Sequence, residues 1–401
     1  MSFTPCFFLP MRIDTRIAER LKKINPSSTL AINSKAKKLK SEGRDVISLA
    51  AGEPDFDTPE FVKAAAIDAI KNGFTKYTPT TGTPELKKAI SEKLIKDNAL
   101  SYEPGQIVVS CGAKHSIFNA LLALVNKGDE VLIPSPYWVS YPEMVHVCDG
   151  TPRFIKTLPA NDFKIDLSSL DRYITAKTKV LIVNSPSNPV GCVYNRQELE
   201  TIAGICVKRK IFIISDEIYE KIMYDNNAHV SIASLGKEVY DLTITVNGLS
   251  KSHSMTGWRI GYLGGPQDVV DAISKLQDHS TSNPNSIAQK AAVAALTGPG
   301  DFERKMCLEF QKRRDYVATK LSAMSRLNFI KPQGAFYIFC NISKTGLDSA
   351  GFASRLLDEA LVALIPGDSF GRDDYVRMSF AASIEQLEKA MDRIEQWLKK
   401  I

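Results

Sequence analysis

The stretch LTITVNGLSKSHSMTGWRIGYLG (242–264) carries the pattern that decides the fold. A short apolar run, LTITV (242–246), gives way to Asn247, Gly248, Ser250 and Lys251, and a second run, IGYLG (260–264), follows. Apolar runs of this length, bounded by turn residues, read as buried strands. Working outward, the same pattern recurs at IVVSC (107–111), EVLIP (130–134), KVLIV (179–183) and IFIIS (211–215). Helical stretches at 59–72, 84–97 and 114–126 alternate with these runs. Apolar strands that do not alternate with polar residues need cover on both faces. The expectation is therefore an α/β fold with a largely parallel sheet between helices.

Ligands of open α/β sheets gather beyond the carboxyl ends of the strands. The residues there are polar in five successive cases: Gly112-Ala113-Lys114, Ser135-Pro136-Tyr137-Trp138, Asn184 to Pro189, Asp216-Glu217-Ile218-Tyr219, and Asn247 to Lys251. Any one of these groups fits a turn or a helix cap; together they fit a site along one sheet edge. From about 298 the pattern changes to long amphipathic helices around fewer strands, ending in a helix at 383–400. A helix is expected at 13–43 as well.

Bulk properties bound the function. A chain of 401 residues exceeds the roughly 250–300 residues at which single cores stop growing, so two domains are expected. The net charge of +6 comes from 51 basic and 45 acidic residues mixed along the chain, which argues against a nucleic-acid footprint. The densest basic run, Lys35–Lys40, reads as the wet face of a helix. The seven cysteines never form CxxC, and the five histidines lack metal-ligand spacing. Reduced thiols, a cytoplasmic location and no metal are expected. Cys111 reads as core packing. MSFTPCFFLP (1–10) lacks the basic start of a signal peptide, and Met11 is a candidate alternative start. No apolar run reaches the roughly 20 residues that span a bilayer. No GxGxxG follows an early strand, which disfavours a nicotinamide enzyme.

Residues 250–262, SKSHSMTGWRIGY, resemble the cofactor-lysine signature of class I and II aminotransferases. The resemblance continues in order through AAGEPDFDTPE (50–60), KYTPTTGTPELKKAI (76–90), SPYWVSYPEM (135–144), NSPSNPVG (184–191), SDEIYE (215–220) and YVRMSFA (375–381). It is strongest toward the bacterial aspartate aminotransferase subgroup, which also holds prephenate and aromatic transaminases. It implies the pyridoxal-phosphate-dependent transferase fold type I: a large domain with a mainly parallel seven-stranded sheet between helices, plus a smaller α+β domain. The matching boundaries are 1–58 for an N-terminal segment joining the small domain, 59–297 for the cofactor domain and 298–401 for the small domain.

The resemblance also implies roles. Lys251 would carry pyridoxal 5'-phosphate and move the substrate proton, which needs a neutral amine. Asp216 would pair with the pyridine nitrogen. Tyr219, one helical turn on, would meet the cofactor phenolic oxygen together with Asn188. Gly112, Ala113 and Lys114 at a helix start, with Ser250 and Arg259, would hold the phosphate. Trp138 would stack on the ring. Arg377 would grip the substrate α-carboxylate with a planar fork, near Gly52 and Asn188. Tyr77 would reach the site of a second copy, making a homodimer. Lys114 would meet a distal carboxylate, and Ser27 lies in a segment that covers the substrate. The implied partners are amino acids and 2-oxo acids, with aspartate and 2-oxoglutarate foremost. Prephenate, aromatic and other dicarboxylic substrates are alternatives, ahead of a lyase or a non-catalytic regulator. Val190 and His253 depart from the usual residues near the cofactor contacts; either could alter the pocket, and neither removes a residue that transamination requires.

Overall fold

The structure, a computed structural model, describes residues 17–25 and 28–401. The expectations for residues 1–10, Met11 and Ser27 fall outside the described residues.

The large sheet has seven strands: β2 (Ile107–Ser110), β3 (Glu130–Ser135), β4 (Thr151–Lys156), β5 (Thr178–Asn184), β6 (Phe212–Asp216), β7 (Thr243–Gly248) and β8 (Gly261–Gly264). Their order is β2-β8-β7-β6-β5-β3-β4. The strands from β7 to β4 pair in parallel, and β8 runs antiparallel to both β7 and β2. Both faces are buried, as the continuous apolar runs require. In β5, Val180 and Ile182 pack toward the helix Ala113–Leu124, while Leu181 and Val183 pack toward the helix Arg196–Arg209.

β4 is the strand that the apolar pattern missed. Its sequence, TPRFIK, is largely exposed and contains Pro152. It lies at the sheet edge, where a proline costs no ladder hydrogen bond and polar residues face water.

The expected helix over 13–43 is interrupted. Within the described residues it comprises a 3₁₀ turn, Glu19–Lys23, and a helix, Ser28–Ser41, with Ile24 extended between them. Pro26 disfavours helical geometry at Asn25. Beyond the helix, β1 (Ile47–Ser48) pairs in parallel with β11 (Val362–Ala363), tying the N-terminal segment to the C-terminal part.

The smaller sheet is made of β12 (Ile365–Pro366), β13 (Tyr375–Ser379), β10 (Tyr337–Asn341) and β9 (Asn328–Phe329), in that order. It packs with the helices Asp301–Ser322, Ser349–Ala360 and Ile384–Leu398 around a core that includes Phe310, Phe336, Phe352 and Trp397. No described helix is long and apolar enough to cross a membrane.

Candidate active site

Register explains why distant residues meet. Asn184 ends β5 opposite Asp216 at the end of β6, and Asp216 lies opposite Val246 of β7. The chain leaving β7 then delivers Ser250 and Lys251 to the same edge. Because β8 is antiparallel, its first residue, Gly261, sits opposite both Gly248, the last of β7, and Ser110, the last of β2. Arg259, just before β8, therefore meets Gly112, just after β2.

Two glycines make that meeting possible. Gly112 caps the helix Ala113–Leu124 with φ +90, and a Cβ there would lie 2.4 Å from the Arg259 guanidinium. A Cβ on Gly261 would lie 2.1 Å from the Ala113 nitrogen. Arg259 itself has φ +56 and Ser254 φ +52, a left-handed geometry costly for a residue with a Cβ. Arg259 donates to the Thr256 and Cys111 carbonyls, which holds its fork over the helix start. The first N–H groups of a helix lack internal partners and carry its positive dipole end. The result is a cradle for a phosphate-sized anion.

One cavity of about 1110 Å³ opens at this edge. Its lining includes Gly52, Ala113, Lys114, Trp138, Asn188, Asp216, Tyr219, Ser250, Lys251, Arg259 and Arg377. Gly112 supports the floor through Arg259. Tyr77 stands apart on an exposed loop, with 92% of its surface accessible.

Lys251 donates to the Gly52 carbonyl. Burial, opposed by Glu53 and helped by Arg377 and Arg259, pulls its ammonium down to about 8. Asp216 is buried. Burial pushes its carboxyl up to about 6 against a 2.6 Å hydrogen bond donated by Tyr141. The Tyr219 hydroxyl lies 2.9 Å from that of Tyr337, and burial raises its phenol well above the usual range. Arg377 donates to Asn188 Oδ1 and the Ala50 carbonyl at 3.0 Å each. Its guanidinium lies 4.3 Å from the Tyr337 ring centre, and its buried Nε has no partner among the described residues. Lys114 Nζ lies 5.0 Å from the Trp138 ring centre, and burial and then Arg259 lower its pKa.

None of Lys114, Lys251, Arg259 and Arg377 forms an ion pair among the described residues. Arg377 is buried and Lys251 half-buried, while Lys114 and Arg259 are exposed at the cavity surface, so four cations without carboxylate partners in one cavity favour a multiply anionic ligand.

The family model described as "Aminotransferase class I and II" matches residues 44–394. The chain belongs to the class I and II aminotransferases. An aspartate aminotransferase of Bacillus sp. (strain YM-2) is 49% identical over 96% of this aminotransferase and 99% of the relative. A probable aspartate/prephenate aminotransferase of Rickettsia felis is 47% identical over 95% and 96%. The solved structure of the Thermus thermophilus aspartate aminotransferase with maleate superimposes with a TM-score of 0.91 at 42% identity, covering 95% of this chain and 99% of that one. The fold type I reading is borne out.

The structure sets Val190 and His253 away from the cavity. Val190 is 3% exposed in a separate apolar cluster, and neither residue lines the cavity. His253 turns away, with Nδ1 2.9 Å from Ser252 Oγ and Nε2 3.0 Å from Glu303.

Among the cavity residues that sequence reasoning missed, three bear directly on the site residues. Asn184 donates to the Asp216 carbonyl at 2.9 Å and accepts from the Asn188 nitrogen at 2.8 Å. Tyr141 follows Trp138 by three residues, a helical spacing that signals a shared face. Tyr337 lies in AFYIF (335–339), which reads as core strand and gives no such signal.

Proposed function

We propose that this aminotransferase moves the amino group of aspartate to 2-oxoglutarate in a ping-pong order, with pyridoxal 5'-phosphate held by Lys251. The open cations of the cavity carry the reading. A phosphate and a dicarboxylic amino acid together supply the anionic groups that Arg259, Arg377 and Lys114 lack.

In this reading the phosphate takes the Gly112-Ala113-Lys114 helix start, Ser250 and Arg259. Trp138 stacks on the ring, and Tyr219 and Asn188 meet its phenolic oxygen. When bound, the cofactor supplies an electron sink for the charge left by loss of the substrate α-proton. Asp216, ionised, holds the proton on the pyridine nitrogen. Lys251 Nζ, with its pKa down at about 8, is a competent base near neutral pH for the substrate Cα proton, which it later returns. Arg377 and Asn188 fix the α-carboxylate beside Gly52, which orients the Cα–H bond.

Lys114 would meet the distal carboxylate. The Thermus aspartate aminotransferase was solved with maleate, a dicarboxylate, which supports that assignment. The Rickettsia relative's name supports prephenate, another dicarboxylate, as a second substrate. Exposed Tyr77 is assigned to the phosphate of a second copy, so the working unit is a homodimer. The boundaries at 58 and 297 are retained as those of the two domains. The free thiols fit a cytoplasmic enzyme.

A panel of amino donors against 2-oxoglutarate, oxaloacetate and prephenate tests the reading. Aspartate and glutamate should exceed alanine and leucine in kcat/KM by at least about tenfold, or ~1.4 kcal/mol. Equal rates for neutral donors would sink the dicarboxylate assignment. The absence of a visible absorption band after loading with pyridoxal 5'-phosphate would sink the cofactor assignment.

A further inference from the structure

The turn that carries Asp216 and Tyr219 has a second, buried face, and its charges are all matched. Glu217 is 1% exposed and Glu220 8%. Lys93, from the helix Pro84–Asn98, donates to Glu220, and to Asn98 Oδ1 at 2.6 Å. Asn98 Nδ2 lies 3.1 Å from Glu217 Oε2 and 2.6 Å from Glu220 Oε2. Ser215 donates to Glu217 Oε1 at 2.8 Å, and Ser231 donates to Glu217 as well. His229 Nε2 lies 2.9 Å from Glu217 Oε2. Its buried Nδ1 has no partner among the described residues, so the ring is set through Nε2, which also lies 3.5 Å from Ser231 Oγ.

Ligand atoms of Glu217, Glu220 and His229 lie within 4.8 Å of one another, a spacing that suits a cation. The Lys93 ammonium already occupies that role on Glu220. One lysine balances one carboxylate; Glu217 needs a second positive charge, and His229 is the group in place to supply it. The other titratable groups around the cluster are Asp97 and Lys221, paired at 2.8 Å at its rim, the buried phenols of Tyr102 and Tyr262, and Asp216 itself. Burial opposes a charge on His229, but Glu217 and Glu220 outweigh it and hold its pKa above the usual value.

We propose that His229, clamped on Glu217, is a positioning residue: its positive charge fixes the Asp216–Tyr219 turn and shields Asp216 from the neighbouring Glu217 carboxylate. The inference rests on the proposed function, in which Asp216 faces the cofactor. Without the His229 charge, the Glu217 carboxylate keeps only the neutral donors Ser215, Ser231 and Asn98 and acts more strongly on Asp216 across one peptide unit. Asp216 then binds its proton more tightly, and its hold on the pyridine nitrogen weakens at the acid end of the working range.

The test compares wild type, His229→Gln, Glu217→Gln and the double variant, each loaded with pyridoxal 5'-phosphate. His229→Gln should lower kcat by about tenfold while KM for the amino donor moves by less than about threefold, since Arg377 stands off the turn. The acid limb of kcat and the pH midpoint of the visible band should shift by about one unit. The double variant should recover most of the lost kcat, because a neutral amide in place of the Glu217 carboxylate needs no counter-charge. If His229→Gln does not fold, Ser231→Ala should give a smaller shift of the band in the same direction. A lowered Tm with wild-type kcat and an unmoved midpoint would overturn the inference alone. A wild-type protein with no band would overturn the cofactor reading and this inference with it.

Discussion

The turn Asp216–Glu220 has two faces of opposite electrostatic character. On the cavity face, Lys114, Lys251, Arg259 and Arg377 stand without carboxylate partners among the described residues. On the back face, Lys93 and His229 are each set against a buried glutamate. A buried charge is expensive unless it is paired. The back face meets that cost from within the chain, which makes it rigid. On the cavity face only Arg377 is fully buried and Lys114 and Arg259 are exposed, so the unmatched positive charge stays open to an anionic ligand. A single turn thus joins a fixed support to an open site.

Breaking the cavity face at Lys251 should have the largest effect. Lys251→Ala should lower kcat by a factor on the order of 10⁴–10⁶ and abolish covalent retention of the cofactor through gel filtration. Activity within about tenfold of wild type would remove Lys251 from the chemistry.

Breaking the back face should damage stability rather than binding. Glu220→Ala leaves buried Lys93 with only the longer Asp97 contact at 3.9 Å and the Asn98 hydrogen bond, and should cost about 3 kcal/mol in urea unfolding. The pH dependence sharpens the same point. Although burial opposes it, Lys93 and His229 hold the Glu220 carboxyl down at about 2. A depressed carboxyl contributes stability that is present above its unfolded pKa of about 4.5. That contribution should fade as pH falls from about 4.5 toward about 2, and Glu220→Gln should flatten the profile in that window. An unchanged profile would mean that the cluster does not titrate as a unit.

Arg377→Lys keeps the charge but loses the planar fork held by Asn188 and Ala50. A fall in kcat/KM of about 10²-fold is expected for every amino donor alike. Lys114→Ala, by contrast, should raise KM about tenfold for aspartate and leave alanine nearly unchanged. Equal effects on both donors would reassign Lys114 to the phosphate. The smallest effect is expected from Tyr141→Phe, which removes a donor from Asp216. The Asp216 carboxyl should rise further above about 6, and kcat near pH 6 should fall by a few-fold with less change near pH 8.

Much of the fold was legible because parallel strands buried on both faces are written as uninterrupted apolar runs. β4 escaped because an edge strand obeys neither rule: it is polar, exposed and contains Pro152. The helix expected over 13–43 read as continuous on its charge and apolar period, but Pro26 carries a local steric rule that overrides them. Within the site, residues directly after strands were visible as polar groups following apolar runs. Tyr337 lies inside a strand and looks like core. His253 sits two residues from Lys251 in sequence yet points to Glu303, because backbone direction, not proximity along the chain, decides what a side chain faces.

The sequence by itself determined which residues end the strands and which family they belong to, since burial pattern and local motif are both written in order along the chain. Only the tertiary structure decided which charges are satisfied. Lys93 and Lys251 are both lysines near apolar segments; the motif around Lys251 marks its chemistry, but nothing local says which of the two finds a carboxylate. Their partners, Glu220 and the Gly52 carbonyl, come from segments about 127 and 199 residues away, brought close by sheet register and helix packing. Coulomb energy depends on distance in space and on burial, and both are properties of the folded chain.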